Sequence, residues 1–249
     1  MPDALRDAVA RMQFALADAD PGATAPACGA WTVADVAEHL GGVHLWAATC
    51  LATTEFPGWD HPVRARGGQP LSDWYAGCAA TLLDALAGVD PATPAWTFEE
   101  GNATAAFWRR RQVHETTIHR VDVEQAGGAT HEAGVEGVGP ALAADGVEEV
   151  LTVLMPRTLV RRRQHAPETV IRVPEPVAFV CPDAGRSWTV QLVDGRLHTR
   201  TGTQGAVARL TGDAAYTYLA LWNRAPRDRF AVTGDEQAAS RLLAAELTP

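Results

Sequence analysis

The chain has 249 residues, 47% of them apolar and 20% charged, a globular composition that excludes a disordered polymer. At a formal net charge of −9, with every cationic position outside histidine an arginine, it lacks the basic surface that phosphate-backbone binding needs, and no nucleic-acid partner is expected. No apolar stretch nears the roughly 20 residues of a membrane span, the opening MPDALRDAVARMQ has no leader-like apolar run, and four scattered cysteines (Cys28, Cys50, Cys78, Cys181) without a CxxC pair point to a reduced, cytoplasmic setting.

In chain order, the spacing first predicts helices. Residues 3–18 place Leu5, Val9, Met12 and Leu16 on one face, ended by Asp20-Pro21-Gly22. A second helix is expected over 32–53, with Thr32 as cap, Asp35 reaching back to it, and Trp31 stapling onto Val36. A loop rich in Gly, Pro and Arg (56–70) follows, then helices over 72–88, 104–125 and 140–155. Helices of this length joined by short loops predict an antiparallel bundle. The polar, Pro-terminated stretch 161–167 reads as a linker.

From residue 168 the pattern changes to short alternating runs broken by Gly, Pro and Asp. Residues 170–180 carry two prolines and are expected to form a broken or edge strand. Strands over 187–193 and 197–201 flank Asp194-Gly195, a hairpin signal. A strand at 206–210, a helix at 214–222, a short strand at 230–232 and a terminal helix at 236–246 complete a smaller α+β domain. The fold class is therefore α then α+β, with expected domains 1–160 and 168–249.

The fourth helix carries His114-Glu115-Thr116-Thr117-Ile118-His119-Arg120-Val121-Asp122. This resembles the HExxH zinc motif but is one residue too long. Histidines five apart lie about 140° around a helix, too far to share one ion. Glu115 and His119, four apart, share a face, and a carboxylate plus an imidazole suits a divalent metal such as zinc. An i,i+4 Glu–His pair is also a common weak surface pair. Asp122, on the same stripe, could bind a metal, orient His119 or hold an arginine. A catalytic metal needs about three protein ligands and an open position. His39, two turns into the capped second helix among Val36, Leu40 and Val43, is the best candidate for the third; the plainer alternative is a core histidine. His44 points elsewhere and is expected at the surface or a pocket rim.

Taken together, Trp31-Thr32-Val33-x-Asp35-x-x-x-His39-Leu40 and the His114–Asp122 motif resemble the mycothiol-dependent maleylpyruvate isomerase family. Ala141-Leu142-Ala143-Ala144-Asp145-Gly146-Val147, Leu219-Ala220-Leu221-Trp222-Asn223-Arg224 and Val232-Thr233-Gly234-Asp235 extend the resemblance over nearly the whole chain. It implies a DinB-like four-helix bundle followed by a small α+β domain. It also implies a divalent metal, usually zinc, on His39, Glu115 and His119, and mycothiol as thiol cosubstrate.

The implied chemistry is cis–trans isomerisation of maleylpyruvate-like acids. A metal-bound thiol loses its proton near neutral pH, the thiolate adds to the cis double bond, and rotation then expulsion give the trans acid. Arginine forks would hold the substrate carboxylates. The candidates are Arg64 and Arg66 in the loop after the second helix, Arg111 and Arg224. Arg109 and Arg110 are expected to be solvated, as is the run 161–163, while Arg120 is expected to pair with Asp122 or a neighbouring helix. The same platform would serve thiol transfer onto electrophiles, or a non-catalytic protein that binds metal or a small molecule, as monomer or homodimer. No dinucleotide fingerprint, phosphate loop or GxSxG elbow is present. Cys50 and Cys78, and Trp46, Trp74, Trp108 and Trp222, read as core or pocket lining.

Overall fold

A computed structural model describes residues 2–59, 67–99, 101–135, 137–165, 173 and 175–245. Its contacts divide the chain into two units, Met1–Gly134 and Val135–Pro249.

The first unit is helical: α1 (Pro2–Ala17), α2 (Val33–Leu51), α3 (Leu71–Ala87) and α4 (Ala105–Ala126), with a short helical turn at Pro26–Cys28 and a further helix, α5 (His131–Val135), at its end. Helix α1 packs on α3 and α4, and α2 packs on the same two. The predicted stripe of α1 is what it buries: Leu5, Val9, Met12 and Leu16 are all sequestered, while Phe14, off the stripe, is exposed. Each such burial contributes about 1.5–3 kcal/mol. Helix α2 starts where the cap chemistry says it should. The Thr32 side chain accepts from the Asp35 amide while the Asp35 carboxylate accepts from the Thr32 amide at 2.8 Å. Gly41 lets α2 and α3 approach closely, since a Cβ there would meet the Trp74 ring at 2.6 Å.

Helix α4 departs from the amphipathic rule. Fifteen of its residues are buried, among them Arg111, Gln112, His114, Thr116, Thr117, His119, Arg120 and Asp122. Such a helix persists only if its polar groups find partners. Thr116 and Thr117 donate to the carbonyls of Gln112 and Val113, each at 2.7 Å. Arg120 donates to Glu124 at 2.7 Å and to the Gly134 carbonyl on α5, the neighbouring helix rather than Asp122 of the two expected partners. Arg109, expected to be solvated, donates to the Leu86 and Val89 carbonyls, closing the C-terminal end of α3.

The second unit begins with α6 (Pro140–Glu149), a widened π-helical turn (Val150–Leu154) and α7 (Met155–His165). Pro156 has no amide to donate to the carbonyl four residues back, and the π-helical turn just ahead of it absorbs the missing bond. The division between units therefore falls earlier than the 161–167 stretch, which is helical up to His165. Residues 140–165 group with the sheet for visible reasons. A Cβ on Gly146 would meet the Tyr218 ring at 2.5 Å, Thr199 donates to the Leu151 carbonyl at 2.9 Å, and Arg186 pairs with Glu148 at 2.8 Å.

Five strands follow: β1 (Val177–Cys181), β2 (Arg186–Val193), β3 (Arg196–Thr201), β4 (Ala208–Thr211) and β5 (Ala231–Gly234). They lie in the order β3-β2-β1-β4-β5, with β1 and β4 parallel and the other pairs antiparallel. Asp194 and Gly195 both have positive φ (49° and 70°), the two-residue turn that the hairpin required. The edge-strand expectation for 170–180 is corrected. Strand β1 is central, because it starts only after Pro176, so no proline interrupts its ladder; residues 170–172 and 174 lie outside those described. Helices α8 (Ala214–Leu221) and α9 (Glu236–Ala244) complete the unit, α8 packing on α6 and α9 on β1, β4 and β5. Phe179, Trp188, Leu210, Tyr218 and Leu219 form its core. Among the described residues no helix is long and apolar enough to cross a membrane.

Candidate metal centre

The mid-portion of α4 faces α2 through charged and polar side chains. His39 Nε2 donates to Glu115 Oε1 at 3.3 Å, and His119 Nε2 lies 3.4 Å from the same oxygen. The two imidazole rings are 5.0 Å apart, edge to face. One ligand atom from each of His39, Glu115 and His119 falls within 4.8 Å of the other two. Glu115 and His119, paired by their spacing, and His39, proposed from its place on the capped helix, are thus neighbours in space, although His39 is 76 positions from Glu115. His114 is buried on α4 and joins no such group among the described residues.

The remaining oxygen of Glu115 is taken: Arg111, almost fully buried, donates to Oε2 at 2.6 Å. The carboxylate is therefore divided, one oxygen toward the histidines and the other toward a fixed cation. Asp122, fully buried, accepts from His119 Nδ1 at 2.9 Å. Of the three roles open to Asp122, this geometry matches orientation of His119, since it leaves Nε2 facing Glu115 and His39.

Electrostatics follow from these contacts. Burial alone would push the Glu115 carboxyl up, but the Arg111 charge and hydrogen bonds from His119 and His39 outweigh it and hold the group well below the usual carboxylate range. Burial would lower His119; hydrogen bonds to Asp122, Cys28 and Glu115, with the Glu115 charge, raise it well above the usual imidazole value. Cys28 is a residue that sequence reasoning missed. It sits on the Pro26–Cys28 turn, which packs on α4, and forms a second group with His119 and Asp122 within 4.8 Å. No local spacing connects positions 28 and 119.

Trp31 is 39% exposed, and its ring lies 5.0 Å from that of His39. His44 is at neither the surface nor a pocket rim. It is fully buried, Nδ1 facing Gln112 Oε1 at 2.7 Å and Nε2 facing the Tyr75 hydroxyl at 3.1 Å. Burial pushes its pKa down to about 4, so the ring is neutral at pH 7. Cys50, Cys78, Trp46, Trp74 and Trp108 are buried core of the first unit.

The candidate arginines fall in different places. Arg111 is on Glu115. Arg64 and Arg66 lie outside the described residues. Arg224 belongs to the second unit, where it donates to the Trp222 carbonyl at 2.7 Å and covers the Trp222 ring at 5.8 Å.

Two imidazoles and a carboxylate converging with one side open are a donor set for a zinc-like cation, so the residues present fit such an ion. Residues 3–124 match the family model described as the mycothiol maleylpyruvate isomerase N-terminal domain, and residues 141–241 match the one described as the MDMPI C-terminal domain. No curated protein and no solved structure matches the chain.

Proposed function

Because the chain belongs to the mycothiol maleylpyruvate isomerase family, we propose that it is a mycothiol-dependent enzyme that isomerises maleylpyruvate-like cis acids at a divalent metal held by His39, Glu115 and His119. The observation that carries this reading is the convergence of Glu115 Oε1 on both ring nitrogens at 3.3 and 3.4 Å. We read the four packed helices around it as a DinB-like antiparallel bundle. The ion, zinc by its N/O donor set, would supply Lewis acidity that deprotonates a bound thiol near neutral pH.

The chain's own residues prepare that site. Asp122 fixes the His119 ring so that Nε2 faces the other two donors. Arg111 occupies Glu115 Oε2 and leaves Oε1 as the single forward-facing oxygen. A cation arriving here competes with a proton on His119, so its affinity rises with pH. The Arg111 guanidinium is committed to Glu115, so substrate carboxylates need another cationic fork, and Arg64 is our assignment for that task. We place the reaction in the cytoplasm, where a low-molecular-weight thiol stays reduced.

Purified protein supplied with mycothiol should convert maleylpyruvate to its trans isomer, followed by loss of the cis chromophore. Turnover only of electrophiles to thioethers would reassign the chain to thiol transfer. No thiol-dependent turnover of either class, with metal bound, would make it a binding protein.

A further inference from the structure

The donor cluster is open unevenly. The His39 side chain is 34% exposed, whereas Glu115 and His119 are at 17% and 11%. A ligand whose sulfur reaches the cluster must therefore extend outward past His39. The aromatic group beside His39 is Trp31, 5.0 Å away and tilted by 51°. Trp31 stands just ahead of the capping box of α2 and is 39% exposed.

Trp31 is also held in place. Its carbonyl accepts from the Ala25 amide at 2.8 Å, its amide donates to the Cys28 carbonyl, and Thr24 bridges to Thr32, so the indole stands on a pinned turn against the cap of α2. A large, apolar, rigid face left in solvent beside a convergent donor set is a binding wall. It offers no positive charge, so it does not serve the carboxylates of the acid substrate. A flat aromatic face does suit the C–H-rich face of a sugar ring.

We propose that Trp31 is the platform for the sugar-bearing body of the thiol cosubstrate, and so sets which thiol the site accepts. This rests on the metal–thiol reading above, and the test separates the two. Cobalt(II)-loaded wild-type protein is titrated with mycothiol and with 2-mercaptoethanol, a thiol without sugars, following the sulfur-to-cobalt charge-transfer band. Trp31→Ala should weaken mycothiol about tenfold or more while changing 2-mercaptoethanol less than about twofold, and Trp31→Phe should keep mycothiol within about threefold of wild type. Equal weakening of both thiols, or no weakening of mycothiol, overturns the platform while leaving the metal–thiol reading intact. No thiol-dependent band in wild type overturns that reading and the platform with it.

Discussion

His39 and His44 stand five residues apart on one helix and each meets a polar side chain of α4, but they sit in opposite kinds of cluster. His44 is sealed. Both its ring nitrogens are engaged, its partners Gln112 and Tyr75 are uncharged and buried, and the ring is held neutral. His39 is part open, its partner is a carboxylate shared with His119 and Arg111, and several donors aim at one small volume. A sealed neutral cluster spends its hydrogen bonds on the fold. An open charged one keeps ligand atoms available. Histidine on a buried helix face is thus uninformative by itself; what its partners still have free distinguishes structure from site.

The two clusters should differ most at Glu115. Glu115→Ala leaves the Arg111 guanidinium buried without its carboxylate and should destabilise the protein by about 3–5 kcal/mol in urea unfolding. His39→Ala, which strands no buried charge, should stay within about 1 kcal/mol in metal-free protein. Equal losses would mean that His39 is as structural as His44.

A slightly smaller effect belongs to the sealed cluster. His44 titrates near 4 when folded and near 6.5 when unfolded, so between those values the unfolded chain takes up the proton first. The stability it contributes above pH 6.5 is lost as pH falls toward 4, up to about 3 kcal/mol. His119 runs the other way: its raised value makes its contribution full below 6.5 and lost as pH rises through the folded value. Subtracting the stability profile of His44→Gln from that of wild type isolates the first slope, and a flat difference would contradict the sealed, neutral assignment.

Asp122 provides the gentlest probe. Asp122→Asn keeps the shape but weakens the hold on His119 Nδ1, and metal affinity measured by chelator competition should fall about 10–100-fold. No change would mean that Asp122 supports packing alone.

Most of the first unit was legible because its physics is local. The α1 stripe and the choice of Glu115 with His119 over His114 follow from helical periodicity, and the Thr32–Asp35 cap from side-chain hydrogen bonding to the first-turn amides. The Asp194-Gly195 hairpin follows from turn chemistry. What was missed depends on long-range packing. Cys28 reaches His119 only because its turn folds onto α4. Periodicity places His44 at the surface or a pocket rim because it does not show that Gln112 and Tyr75 enclose the ring. The stretch 161–167 looked like a linker from its composition, but is helical through His165 behind the turn that accommodates Pro156.

Whether His39, Glu115 and His119 form one metal-binding unit is decided by elemental analysis of purified wild type beside His39→Ala. Wild type should carry about one divalent metal per chain and the variant less than about a tenth of that. Equal metal in the two proteins would contradict a shared site.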